Sequence, residues 1–354
     1  MPTSSISSAI RTSRRNCSKT AMTPSKPRPK SSPGCWPTAP RSTSPSSRKP
    51  ASRPNELHQE TNENMKTQAT TPAGRRASAA FPRLTVVLTF LMENWSVGKA
   101  PPYSPMTSPP KAGEIDRAGI LWANYGGRSG IARLMRIAER HGVSGTVCVN
   151  ARSAELFPET VRHIVKSGFE LGGHNYAQDE VLSGLNEADE RALIQKSLRI
   201  LQEVSSVRPT GWLSSTIATT ERTADLLTQE GLLWHGDYND IDQPQQVATP
   251  SGRIVAIPHS DYADNRVLRG APDDWYHCYK DMFDYLYRQE SGSLINITMH
   301  GNFGGRPLMS AQLDKLLTYM LAHDEVWVPR HDELAHWVNE HGIAETPFIQ
   351  RFAA

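Results

Sequence analysis

Apolar and polar positions change period repeatedly along this chain. Short runs rich in β-branched and other apolar residues fall at 84–90, 145–150, 169–173, 210–214, 232–238, 253–259, 293–299 and 325–328. Several are apolar at consecutive positions, so both faces of each strand need cover, as in a parallel sheet wrapped by helices. Between most of them the period lengthens to that of a helix. Ile131, Leu134, Met135, Ile137 and Ala138 mark one helix. Pro158 opens a second, with Val161, Ile164 and Val165 on one face and Gly168 beyond its end. Glu187 to Val204 reads as a long amphipathic helix, and Thr220 heads another that ends at Gly231. Further helices are expected around Met282–Tyr287, Leu313–Met320 and Leu334–Val338.

Eight strands alternating with helices predict an α/β fold, a deformed (β/α) barrel of seven or eight strands. Two connections break the pattern. Segment 238–253 is too short and polar for a crossover helix and is expected to hold loops or a small hairpin. Segment 94–129 reads as a long loop with Pro101, Pro102, Pro105, Pro109 and Pro110. A loop of that length is usually functional, here a lid or the wall of a cleft.

Composition separates the N-terminus from this pattern. The 354 residues have 39 basic and 36 acidic side chains, but residues 1–55 hold eleven Lys/Arg and no acid. The remaining residues carry 28 basic and 36 acidic groups, a net charge of −8. A basic surface for nucleic acid is therefore not expected on the folded part. The first 55 residues include 14 Ser and 10 Pro and few bulky apolar side chains. They cannot offset roughly 1–2 kcal/mol of backbone entropy per ordered residue. The expected organisation is a disordered tail over 1–80 and one catalytic domain over 81–345. The tail is read either as an over-extended start, with Met65 as the initiator, or as a linker. No apolar run reaches 18 residues, so no membrane span is expected. Cys17, Cys35, Cys148 and Cys278 form no disulfide framework, which points to a reducing, cytoplasmic setting.

In a parallel barrel the reactive groups gather where the strands end. Polar residues follow one predicted strand after another: Glu93, Asn94 and Trp95; His174 and Gln178; Trp212; Asp237; His259 and Asp261; His300 and Arg306. Glu93, His174 and His300 are the candidate catalytic residues. Asn94, Trp95, Trp212, Asp237 and Arg306 are the candidate substrate contacts, with Trp95 and Trp212 equally able to be core. His323, His331, His336 and His341 are expected at the surface.

The collinear blocks LTFLMENW, RSGIARLMRIAERHG, FELGGHNYAQDE, RPTGW, WHGDYND and ITMHGNFGGRP resemble the polysaccharide deacetylase (NodB-homology) superfamily over about residues 84–340. The branch they resemble holds peptidoglycan deacetylases together with metal-independent allantoinases and cyclic-imide hydrolases. The resemblance implies a hydrolase of non-peptide C–N bonds acting on an N-acetylated sugar or a small cyclic amide or ureide. Glu93 would be the base, His300 the acid, and His174, with Asn94 or a backbone amide, the oxyanion stabiliser. The metal-dependent members carry an aspartate pair and a His-x3-His pair. Here those positions read Glu93-Asn94 and His174…Gln178. Glutamine is a poor zinc ligand, so no tightly bound metal is expected. If a divalent metal such as zinc is held, Glu93 or Asn94 with His174 and Gln178 would hold it. The alternative to an enzyme is a catalytically idle barrel that binds a carbohydrate or small ligand. The expected partners are a small molecule or sugar and further copies of the chain, with no nucleic acid and no membrane.

Overall fold

The computed structural model describes residues 82–105, 111, 113–260 and 262–343. The expected tail and Asp261 lie outside the described residues. Strand β1 (Leu84–Met92) is buried along its whole length. Its two faces meet different partners. Val86, Leu88, Phe90 and Met92 join the large cluster beneath the helices. Val87 and Leu91 turn inward with Cys148, Leu213, Trp234 and Val255. An inner and an outer core on one strand explain why its sequence is apolar at successive positions.

Around β1 the sheet assembles from β2 (Thr146–Val149), β3 (Glu170–Gly173), β4 (Gly211–Trp212), β5 (Trp234–Tyr238), β6 (Gln245–Thr249), β7 (Gly252–Pro258), β8 (Ser293–His300) and β9 (Val326–Trp327). The order is β6-β7-β5-β4-β3-β2-β1-β8, with β9 also paired to β1. All pairings are parallel except β6 with β7, which is the small hairpin expected between 238 and 253. The result is an incompletely closed, deformed barrel. No ladder joins β7 to β8 among the described residues. Asn296 Nδ2 on β8 spans that seam by donating to the Pro258 carbonyl of β7 at 3.0 Å.

The connections carry helices α1 (Arg117–Tyr125), α2 (Ile131–Arg140), α3 (Ala151–Leu156), α4 (Pro158–Lys166), α5 (Glu187–Ser205), α6 (Thr223–Gln229), α7 (Pro272–Gln289), α8 (Pro307–Met320) and α9 (His331–His341). Helix α1 corrects the reading of 94–129 as one loop. Asp116 caps it, accepting from the Gly119 amide at 2.9 Å. The helical period was hard to see because only Gly119, Trp122 and Ala123 of α1 are buried, while Leu121 faces outward. Residues 106–110 of that segment lie outside the described residues.

Two glycine-rich stretches meet behind the strand ends. Residues Gly126–Gly130 form a π-helical turn between α1 and α2. They pack on the turn 301–305 that follows β8 so closely that a Cβ on Gly130 would lie 1.8 Å from the Gly301 carbonyl oxygen. Only backbone against backbone fits there. This contact fixes the turn that leaves His300.

His331 differs from the expectation of a surface histidine. It is buried, with Nε2 3.2 Å from Thr89 Oγ1 and its ring tilted against Trp234. Burial, and then the neighbouring His259, pull its pKa down to about 3. The sequence offered polar neighbours at this position, but α9 turns the residue inward under the barrel.

Candidate active site

Strand register sets the site. Met92 is aligned with Val149, and Val149 with Gly173, so Glu93 and His174 each stand one residue beyond the same rung. On the other side of β1, Leu91 is aligned with His300, the last residue of β8. Parallel strands thus carry residues distant in sequence to one rim.

Glu93 Oε1 faces both imidazoles. It lies 3.4 Å from His174 Nε2 and 3.7 Å from His300 Nε2. His174 Nδ1 meets the Leu213 carbonyl at 2.5 Å. A carbonyl can only accept, so Nδ1 donates and Nε2 is left toward Glu93. The His174 backbone is held as well, its carbonyl accepting from Asn150 Nδ2. Asn175 next to it adopts the left-handed conformation, with φ of 55°.

His300 is oriented by Asp264, on the short 3₁₀ turn Asp264–Val267 after β7. Asp264 Oδ1 accepts from Nδ1 at 2.5 Å and Oδ2 from the His300 amide at 2.9 Å. Burial lowers the pKa of His300, but the charges of Asp264 and Glu93 outweigh it and raise it to about 9. Burial also works to raise the pKa of Glu93. The His300 charge, the hydrogen bond and charge of His174 and the Tyr103 hydroxyl together hold it below the usual carboxylate range. At neutral pH the centre is therefore a carboxylate beside an imidazolium.

These groups line one face of a cavity of about 550 Å³. Its other walls include Tyr103, Ser214, Asn239, His259 and Arg266. That volume suits a small molecule or one unit of a larger one. Thr216 and Ile217, also at the wall, have φ of 57° and 56°. Such values are strained for β-branched residues and fit a wall shaped for a ligand rather than for backbone ease.

The structure separates the other sequence candidates from this cavity. Asn94 is buried, with Nδ2 donating to Asn124 Oδ1 and Oδ1 accepting from Ser153 Oγ, both at 2.9 Å. Both ends of its amide hold neighbouring segments and it does not line the cavity, so it braces a loop. Trp212 is wholly buried in a cluster with Leu198, Leu227 and Ile254, and its Nε1 donates to Ser214 Oγ. Asp237 is spent on the Ser214 amide at 2.7 Å and His235 Nε2 at 2.8 Å. Arg306 donates to the Asn302 carbonyl and lies over the Tyr125 ring, 4.2 Å from its centre. Trp95 is buried and stands edge-on to Tyr103. None of these five lines the cavity. Each was a polar or aromatic residue just past a strand, and such residues serve equally to finish a barrel rim.

Two residues with roles at the centre escaped the sequence reading. Tyr103 came from the loop, where no period marks it. Asp264 lies six residues beyond the end of β7, past the rim residues His259 and Asp261; the only available signal was the acidic character of that connection.

The three residues named for a metal, Glu93, His174 and Gln178, line the same cavity. Gln178 Oε1 accepts from Ser215 Oγ at 2.9 Å. Among the described residues no group of three or more His, Cys, Asp or Glu is arranged to hold a metal ion. An amide already engaged, with one carboxylate and one imidazole, is a poor fit to a divalent cation.

Residues 120–233 match the polysaccharide deacetylase family model. Over those residues the chain is similar to the polysaccharide deacetylases. A peptidoglycan deacetylase of Helicobacter pylori is 24% identical over 253 residues, covering 61% of this chain and 86% of that protein. The structure of a "probable polysaccharide deacetylase" from Pseudomonas aeruginosa PAO1 is similar at a TM-score of 0.67 and 28% identity, covering 74% of this chain and 93% of its own. The structure of PuuE allantoinase is equally similar, with a TM-score of 0.67, 27% identity and the same coverage. Deacetylase-like and allantoinase-like relatives thus share this fold. No described helix is long and apolar enough to cross a membrane.

Proposed function

We propose that the chain is a hydrolase of non-peptide C–N bonds, acting on the amide of an N-acetylated sugar or of a small cyclic amide or ureide. The observation that carries this reading is the placement of Glu93 between two imidazoles, with Asp264 behind one of them, at the wall of a cavity.

The chemistry follows from donors and acceptors. Glu93 Oε1 can accept one hydrogen of a water, which leaves an oxygen lone pair to attack a carbonyl carbon. Glu93 takes the proton as the new C–O bond forms. The C=O π pair moves to the carbonyl oxygen. When it returns, the C–N bond breaks and the leaving nitrogen takes the proton from His300 Nε2. The proton on Glu93 can then pass to His300, 3.7 Å away, restoring both groups. The base is ionised and the acid protonated in the resting state, as the reaction needs. Asp264 stabilises the imidazolium and fixes its ring.

The test is turnover of N-acetylglucosamine oligomers, allantoin and cyclic imides, with and without chelator. Hydrolysis of any of them that is lost in His300→Ala supports the reading. Saturable binding of a panel member with no hydrolysis by the wild type would instead make this an idle barrel.

A further inference from the structure

The proposed reaction leaves one requirement unmet. The oxygen of the scissile carbonyl gains negative charge during attack, and a donor must meet it. Asn94 is engaged at both ends of its amide. His174 has committed its Nδ1 proton to the Leu213 carbonyl, and its Nε2 faces Glu93 Oε1 at 3.4 Å, so neither nitrogen is turned to a substrate oxygen.

Resting on the reading above, we propose that the Tyr103 hydroxyl is the oxyanion donor of this site. Tyr103 is on the segment between β1 and α1 and lines the same cavity as Glu93, His174 and His300. Its hydroxyl stands 3.4 Å from Glu93 Oε2, a long contact to the carboxylate oxygen other than the one that faces the imidazoles. A substrate oxygen can compete for so long a bond without breaking the Glu93–His pairing. The ring is held on two sides by aromatic edges. Trp95 and Trp122 each lie 5.9 Å from it, at 69° and 86°. Such a clamp keeps the hydroxyl aimed before substrate arrives, the condition for a donor to act in the transition state.

A second contact holds the hydroxyl from the β8 side. Asn302, two residues beyond His300, is 3% exposed, and its side-chain amide lies against the Tyr103 hydroxyl. In the step itself Tyr103 donates a hydrogen bond and transfers no proton. The carbonyl oxygen accepts it while negatively charged and releases it when the C=O re-forms and the nitrogen leaves with the His300 proton.

The test compares the wild type with Tyr103→Phe, which keeps the ring between the two tryptophans and removes only the hydroxyl. On a substrate the wild type hydrolyses, kcat should fall about 10²–10³-fold with KM and thermal midpoint close to wild type. Replacement of Tyr103 by fluorinated tyrosines should make kcat follow the acidity of the phenol. An active wild type whose Tyr103→Phe form keeps its kcat, loses only KM, or shows no trend across the fluorinated series would overturn the proposal while sparing the hydrolase reading. A wild type inactive on every amide would overturn the reading beneath it, and the proposal with it.

Discussion

Asp264 grips His300 twice, through the imidazole Nδ1 at 2.5 Å and through the backbone amide at 2.9 Å. The first bond sets the charge of the ring and the second its height at the rim. Gly304 is part of the same arrangement, since a Cβ there would lie 2.3 Å from Asp264 Oδ2.

That pair predicts a pH profile. His300 acts as an acid only while protonated, and its pKa is raised to about 9. Turnover should hold across neutral pH and decline as pH rises through about 9. Asp264→Asn removes the charge that raises it most, so the decline should begin at lower pH. Gly304→Ala, by displacing the carboxylate, should shift it the same way. A descending limb that stays in place in both variants, measured as log kcat/KM against pH, would detach Asp264 from the acid.

His300→Ala should lower turnover by about 10²–10⁴-fold, the usual scale for an acid–base group, without loss of the fold. Its effect on stability has a definite sign. A group whose pKa is raised on folding stabilises the native state fully below its unfolded value near 6.5, and the benefit disappears as pH rises through about 9. Urea titrations at several pH values should show this loss in the wild type and its absence in the variant.

His331 predicts the opposite limb. Its folded pKa is depressed to about 3, so between about 6.5 and 3 the unfolded chain takes up a proton that the native chain refuses. Stability should fall as pH drops through that window. His331→Phe, which keeps a ring beside Trp234, should flatten the decline; equal slopes in both proteins, read from chemical denaturation at pH 7 and pH 5, would remove His331 as its source.

Trp212 and Arg306 test the distinction between rim structure and substrate contact. Trp212→Ala should cost about 3–5 kcal/mol, the range for emptying a buried aromatic site. Arg306→Met should leave KM near wild type, because its guanidinium faces Tyr125 and the Asn302 carbonyl. A KM raised tenfold or more in Arg306→Met, with an unchanged thermal midpoint, would return that arginine to the binding surface.

The sequence alone determined the alternation of strands and helices, the barrel class and the rim on which Glu93, His174 and His300 stand. These follow from local rules: side-chain period fixes the element, and in a parallel barrel the residue after a strand falls at the reactive end. It could not tell whether Asn94, Trp95, Trp212, Asp237 and Arg306 turn into the cavity or into the rim, because residues at a strand end share composition and differ only in where their side chains turn. Tertiary structure made that choice. It tied Asn94 to Asn124 and Ser153, buried Trp212 among leucines, and brought Asp264 to His300 across 36 residues of chain and Tyr103 over Glu93. Hydrogen-bond partners and burial depend on which distant segments meet, and no local period along the chain encodes that.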